Sequence, residues 1–211
     1  MSLLNETLVK ILSFILTSSV LYWSTALDLL VILMLINNRY SSKTQSQKIA
    51  AGQFIGSNGL IAVSLFLAFV LHFVPQHWIL GFLGLIPLGF GLKYLFLGDD
   101  DEEKVEATLT TRKDKNLLWT VALIAFASCG ADNIGLFTPY FLTLSTAKVI
   151  GTLVIFELNI ILLIILGKAL AQLSFVSEFL EHFGRWVMAA VYIGLGIMII
   201  IESGTWSHFF G

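Results

Sequence analysis

The sequence has few charged residues, only three prolines and a single cysteine. Charged residues make up 12% of its 211 residues and hydrophobic residues 57%, whereas soluble domains average about 25% charged residues. Its mean hydropathy is +0.88. Because such a chain has too little polar surface to cover itself in water, a soluble globular domain is excluded, and the lipid bilayer is the expected solvent.

Three further absences exclude classes of function. The single cysteine, Cys129, excludes an intramolecular disulfide framework and a CxxC-type metal site. The net charge of −2 leaves no basic surface for a nucleic acid. No Walker-type loop of Gly-x-x-x-x-Gly-Lys-Ser/Thr is present, so the chain offers no ATPase of its own. We therefore expect no enzyme, no bound cofactor and no nucleic-acid partner, and nothing in the sequence indicates an oligomeric state.

Six apolar stretches approach the roughly 20 residues that a transmembrane helix needs. They cover residues 11–36, 49–74, 78–97, 117–144, 149–166 and 186–201. The last stretch is short, so its helix is expected to begin a few residues before Arg185. Residues 98–116 separate the halves and hold seven of the fourteen acidic residues, as in a solvated linker.

The distribution of lysine and arginine predicts the orientation. Ten of the twelve lie in the connections after the first, third and fifth stretches. Cytoplasmic loops carry this excess of positive charge. Both termini are therefore predicted to be extracellular and the acidic linker cytoplasmic.

The two halves resemble each other at nearly one offset. Residues 24–28, Ser-Thr-Ala-Leu-Asp, align with residues 128–132, Ser-Cys-Gly-Ala-Asp, and residues 88–92 align with 193–197 one position later. Three spans in each half would give the halves opposite orientations, as in many secondary transporters. The predicted fold is an all-α integral membrane protein of six transmembrane helices in two inverted three-helix repeats. Its predicted units are residues 1–97, the linker 98–116 and residues 117–211.

Three carboxylates are predicted to lie at membrane depth. Asp28 lies 11 residues before Arg39, about 16 Å along a helix. Asp132 is similarly central, and Glu157 lies midway along the fifth stretch. An ionisable residue inside a membrane indicates function by default, and no lysine or arginine lies at comparable depth in the sequence. These carboxylates are expected to take up protons or to bind cations.

Neighbouring residues extend the candidate cation site. Thr25 shares a helical face with Asp28, and Cys129 shares one with Asp132. Cys129 is either a small buried apolar residue or a thiolate that favours soft divalent ions. Pro139 has no N–H group to donate to the carbonyl of Gly135. We therefore expect local unwinding around Asp132 that offers this carbonyl oxygen to an ion, although ordinary helix packing would also explain the glycines.

Glu157 and Gln53 occupy equivalent positions in the two halves, each 25 residues after the repeated aspartate. A carboxylate can carry a proton out and back, whereas an amide cannot. Glu157 is therefore the candidate for coupling proton movement to metal movement, and a structural glutamate bonded to a hydroxyl or water is the alternative.

Five segments resemble the bacterial cadmium resistance transporters of the CadD type, in the lysine exporter superfamily. They are Thr25-Ala26-Leu27-Asp28, Gly52-Gln53-Phe54-Ile55-Gly56, Phe82-Leu83-Gly84-Leu85-Ile86-Pro87, Gly130-Ala131-Asp132-Asn133 and Pro139-Tyr140-Phe141. The resemblance implies a multi-pass protein of the bacterial cell membrane. It also implies that Asp28, Gln53, Asp132 and Asn133 line a cation path.

The leading hypothesis is a secondary-active exporter of a divalent heavy metal, Cd²⁺ first, in exchange for protons. Metal binding to carboxylates releases protons, which provides a route for coupling. An intramembrane aspartyl protease is the alternative from another class, because two membrane aspartates can share a proton. An exporter of a basic amino acid is the alternative within transport.

Overall fold

The computed structural model describes residues 2–73, 81–96, 116–128, 130–203 and 205, and all regular structure in these residues is helical. The predicted linker lies outside the described residues except for Asn116. Seven α-helices are present in the described part: α1 (Ser2–Arg39), α2 (Lys43–Leu71), α3 (Leu85–Phe96, after a 3₁₀ turn at Gly81–Gly84), α4 (Leu117–Ser128), α5 (Gly130–Thr143), α6 (Thr146–Ala169) and α7 (Ser174–Glu202).

A short polar connection separates the first two helices. Helix α1 ends at Arg39, where a cation is favourable against the helix dipole. Ser42 then begins α2 through a capping box with Gln45, in which each side chain bonds to the other residue's backbone N–H. The chain reverses direction here, and α2 runs antiparallel to α1.

Close helix contacts define two parallel pairs. Along α2, a Cβ atom at Gly56 would lie 2.7 Å from the carbonyl oxygen of Ala122, and Gly59 faces Phe126 further along α4. Helix α6 likewise follows α1, because Gly151 faces Phe14 at one end and Gly167 faces Leu33 at the other. Helix α2 is therefore parallel to α4, and α1 is parallel to α6.

Helices α3 and α7 form an antiparallel pair. A Cβ atom at Gly84 would lie 2.6 Å from the carbonyl oxygen of Gly196, and the reverse distance is the same. Further along α3, Gly91 approaches the carbonyl oxygen of Ala189, at 3.1 Å. Small residues at these crossings let the two backbones approach closely, as in other membrane helices.

An aromatic core lies between α1, α5 and α6. The ring of Phe156 packs against Phe137, Phe141 and Tyr22, with centroids 4.8–6.0 Å apart. The opposite face of α6 is exposed and apolar. Its exposed residues, spaced three or four apart, are Ile150, Val154, Leu158, Ile161 and Ile165. This stripe has the composition expected of a lipid-facing surface.

Helices lie in all six predicted stretches. Among the described residues, three helices are long and apolar enough to cross a membrane, or four spans if a bent pair of helices counts as one. Helices α1, α2 and α6 each qualify, and α4 with α5 qualify as one bent span. The helices at Gly81–Phe96 and Trp186–Ile201 are apolar but shorter. Helix α7 begins at Ser174, further upstream of Arg185 than expected. The described residues confirm an all-helical fold with membrane-capable helices, and the six-span inverted repeat stays a prediction.

Candidate functional site

A bend separates α4 from α5, the helix that carries Asp132. Leu117–Ala127 and Gly130–Thr143 are inclined at 59° to each other. The prediction of unwound backbone between Gly130 and Gly135 was wrong, because α5 is helical from Gly130 through Gly135 and Pro139. Asp132 therefore lies in the first turn of α5, where the helix dipole stabilises a carboxylate.

Asp132 is buried and has a hydrogen-bond partner from α3. Its residue exposure is 9%, and the hydroxyl of Tyr94 donates to its Oδ2 atom. Tyr94 is itself fully buried, and its ring packs against Tyr192 of α7, with centroids 5.6 Å apart. The aspartate is thus held by a tyrosine whose position is fixed by the antiparallel α3–α7 pair.

Close packing requires a glycine at position 135. A Cβ atom there would lie 2.8 Å from a methyl carbon of Ile86 and 2.9 Å from the ring of Phe90. The missing side chain therefore lets α3 approach α5 one turn beyond Asp132. Pro139 still leaves the Gly135 carbonyl without its usual intrahelical donor, so its candidacy as an oxygen ligand stays a prediction.

Three polar side chains from three helices line a small cavity. Thr25 of α1, Ser57 of α2 and Asn133 of α5 border a space of about 10 Å³, which is room for one water-sized species. All three are at most 5% exposed. The rest of the wall consists of Tyr22 and of apolar side chains: Ala26, Leu29, Leu60, Ile61 and Phe137.

Gln53 joins this cluster through Ser57. Its Nε2 atom donates to Ser57 Oγ at 2.9 Å, and Gln53 is 1% exposed. The hydroxyl of Thr25 donates to the carbonyl of Tyr22 at 3.0 Å, so its oxygen lone pairs remain able to accept. We call Thr25, Gln53, Ser57 and Asn133 the polar cluster.

The aspartates are near residues of the polar cluster in the sequence, but they do not line its cavity. Asp28 is half-buried on α1, one turn beyond Thr25, and Asp132 precedes Asn133 in α5. Among the described residues, no three His, Cys, Asp or Glu side chains lie close enough together to hold a metal ion. Any ion at this position would therefore need neutral oxygen ligands as well as carboxylates.

Glu157 faces α2 from the neighbouring helix. It is half-buried on α6, and its Oε2 atom lies 3.5 Å from Nδ2 of Asn58, the residue after Ser57. The amide of Asn58 also donates to the carbonyl of Phe54. Ser57 of the polar cluster and Asn58, which contacts Glu157, are therefore consecutive residues of α2.

A family model described as cadmium resistance transporter matches residues 22–211. The chain belongs to the cadmium resistance transporter family. The match includes α2 to α7 and the part of α1 that carries Thr25 and Asp28. Comparisons with curated proteins and with solved structures give no match. The resemblance noted in the sequence is thereby confirmed.

Family membership makes this protein a membrane transporter with a metal ion as its substrate. The ion is cargo, so it is not a cofactor, and the family is one of transporters rather than enzymes. A peptide-cleaving role for Asp28 and Asp132 has no support from this match. The residues that carry the ion are not identified by the match itself.

For this family member, the structure brings together some of the predicted site residues and leaves others apart. Thr25 and Asn133 border one cavity and Gln53 is bonded to its wall, whereas Asp28, Asp132 and Glu157 are not among its lining residues. Cys129 lies outside the described residues. The sequence reasoning missed Ser57, Asn58 and Tyr94. A polar side chain inside an apolar span was the available signal for all three.

Proposed function

We propose that this protein is a secondary-active exporter of a divalent heavy metal, with Cd²⁺ as its first substrate, in exchange for protons. The observation that carries the proposal is the polar cluster, buried between α1, α2 and α5 with an aspartate beside it on two of these helices. Buried oxygen ligands next to carboxylates suit a cation. A space of about 10 Å³ favours an ion over a basic amino acid.

In the proposed site, the break before α5 supplies further oxygen ligands. The last carbonyl groups of a helix have no partner within that helix, and the described part of α4 ends at Ser128. Discontinuous membrane helices present such carbonyls to cations in other transporters. These carbonyls, rather than unwound backbone around Gly135, are the backbone ligands that we propose beside Asp132.

The proposed preference for a soft metal rests on Cys129. Hydroxyl, amide and carboxylate oxygens suit hard ions such as Mn²⁺ and Ca²⁺, whereas a thiolate selects softer ones. Cys129 directly precedes α5 in the sequence and is the only thiol in the chain. We assign it the role of discriminating Cd²⁺ from the hard divalent ions.

Proton exchange in this proposal is assigned to Glu157. It contacts α2 beside Ser57 but does not border the cavity, so it can exchange a proton without giving up a metal ligand. Arrival of a cation nearby favours the charged form of a carboxylate. Binding of metal at the polar cluster would then release the proton from Glu157.

The internal pairing of helices supports the proposed inverted repeat. At the repeat offset, α1 corresponds to α4 with α5, α2 to α6, and α3 to α7. The parallel pair α1–α6 then corresponds to the parallel pair α4–α2. The contact between Gly84 and Gly196 corresponds to that between Ala189 and Gly91. These are the directions and contacts that a two-fold axis in the membrane plane requires.

Purified protein in proteoliposomes tests the proposal. Uptake of Cd²⁺, Zn²⁺, Mn²⁺, Ca²⁺ and arginine is compared between the parent and Cys129→Ser, with empty liposomes as the control. We expect the parent to take up Cd²⁺ in preference to Mn²⁺ and Ca²⁺, and Cys129→Ser to lose that preference. Uptake of arginine without uptake of any metal would overturn the proposal.

A further inference from the structure

A second, larger cavity lies at the end of the molecule where α1 ends and α2 begins. Its volume is about 270 Å³, close to the lower limit of common ligand pockets at about 300 Å³. It shares no lining residue with the polar cluster. Its walls come from three helices, with Asn37 on α1, Lys43, Ser46 and Gln47 on α2, and Ile165 and Lys168 on α6 among them.

The polar part of this cavity is positively charged. Lys43 and Lys168 line it from two helices, and none of the described residues that line it is acidic. Neither lysine forms a salt bridge within the described part of the chain. Ser46 and Gln47 add neutral hydrogen-bonding groups beside the two ammonium groups. The cavity therefore attracts an anion and repels the metal cation.

The apolar part of the cavity continues into the lipid-facing stripe of α6. Ile165 lines the cavity and is 57% exposed. Ile161 and Leu158 follow it at helical spacing on the same face and are also exposed. A molecule with its anionic group on the lysines would therefore have a continuous apolar surface for a hydrocarbon tail.

We propose that this cavity binds an anionic phospholipid, with its phosphodiester group between Lys43 and Lys168 and one acyl chain along Ile165. Basic pockets between transmembrane helices on the cytoplasmic side recognise such headgroups, and the lysine and arginine distribution predicts that this end is cytoplasmic. The inference goes beyond metal transport and does not depend on it.

Lipid binding to the full-length protein in detergent tests the assignment. Native mass spectrometry measures bound phosphatidylglycerol for the parent, for Lys43→Gln/Lys168→Gln and for Lys48→Gln/Lys148→Gln. The last pair is a matched control, because it also removes one exposed lysine from α2 and one from α6, both outside the cavity. We expect binding about 30-fold weaker in the first variant and unchanged in the control.

Three further arms identify the ligand. Phosphatidylcholine should bind the parent more weakly than phosphatidylglycerol, inorganic phosphate should not displace the lipid, and Lys43→Arg/Lys168→Arg should keep binding. Unchanged phosphatidylglycerol binding in Lys43→Gln/Lys168→Gln would overturn the proposal. So would equal binding of the two lipids, or displacement by inorganic phosphate, which would indicate a small-anion site.

Discussion

Tyr94 donates a hydrogen bond to Asp132, and the sequence reasoning missed it. Its counterpart in the other half is Ile199, so the repeat predicts an apolar residue at this position. The contact also depends on the approach of α3 to α5, which no local pattern determines. Hydroxyls within apolar spans are the signal to use, since Tyr22, Tyr140 and Tyr192 are buried as well.

Replacing Tyr94→Phe should weaken metal binding about tenfold or more, because partners that orient a ligand typically contribute 10–100-fold to metal affinity. Isothermal titration of Cd²⁺ into the detergent-solubilised protein measures the change. Tyr140→Phe is the matched control, since it removes a buried hydroxyl bonded to Ser18 at 2.8 Å rather than to the aspartate. Equal affinities for Tyr94→Phe and the parent would show that Tyr94 does not position Asp132.

Glu157→Gln should uncouple transport from the pH gradient while leaving equilibrium metal binding largely intact. The amide keeps the size of the side chain but cannot exchange a proton. Uptake into inverted vesicles with and without a pH gradient, beside metal binding in detergent, measures both properties.

The control for this experiment is Glu6→Gln, the same chemical change at an exposed site where Glu6 pairs with Lys10. A Glu157→Gln protein that responds to the gradient as the parent does would exclude Glu157 as the coupling group. Loss of metal binding itself would instead make Glu157 a ligand.

The polar cluster was only partly predictable at the residue scale. Thr25 followed from its helical spacing to Asp28, and the family resemblance indicated Gln53 and Asn133. Ser57 was missed because its importance comes from α1 and α5, which enclose it, and from Gln53 one turn earlier. Helical spacing predicts neighbours within one helix, whereas contacts between helices depend on packing.

At the scale of elements, the pair α2–α4 depends on small residues. Gly56→Ala would place its Cβ atom 2.7 Å from both the Ala122 carbonyl oxygen and the Ala125 Cβ atom. We expect a loss of about 1–3 kcal/mol in the free energy of unfolding, the typical cost of overpacking. Thermal unfolding in detergent measures the effect. Gly194→Ala is the control, because nothing lies within 4 Å of its added Cβ atom.

A Gly56→Ala protein as stable as the Gly194→Ala protein would contradict the close α2–α4 contact.

Glycine also explains why the break in the fourth span was misplaced. Gly130 and Gly135 carry the same sequence signal, but Gly130 begins a helix and Gly135 accommodates Phe90 inside one. Packing against the neighbouring helix, rather than the sequence signal, decides which glycine lies at a helix end.

At the scale of the whole molecule, hydropathy was enough to locate the helices but not to pair them. All six predicted stretches contain a helix, because apolar length is a property of the sequence alone. The pairing of α1 with α6 and of α2 with α4 joins residues more than 60 positions apart. Only the repeat in the sequence indicated that the pairing of α1 with α6 would have a counterpart in the pairing of α2 with α4.

The proposed topology places consecutive connections on opposite sides of the membrane. Single cysteines at exposed positions test it in a Cys129→Ser background: Ser41→Cys after α1, Ser145→Cys before α6 and Leu173→Cys before α7. Ser145→Cys should react with a membrane-impermeant thiol reagent in whole cells, whereas Ser41→Cys and Leu173→Cys should react only in inverted vesicles. Labelling of all three from one side would contradict the inverted repeat.

The central claim is that Asp28 and Asp132 hold the transported metal beside the polar cluster. Cd²⁺ uptake into inverted vesicles tests it most directly for Asp28→Asn, Asp132→Asn and the control Glu6→Gln, at equal amounts of protein in the membrane. Each aspartate change keeps the size of the side chain and removes the charge that binds the ion. The account predicts that uptake is lost in both aspartate variants and kept in Glu6→Gln. Uptake at the parent's level in either aspartate variant would contradict it.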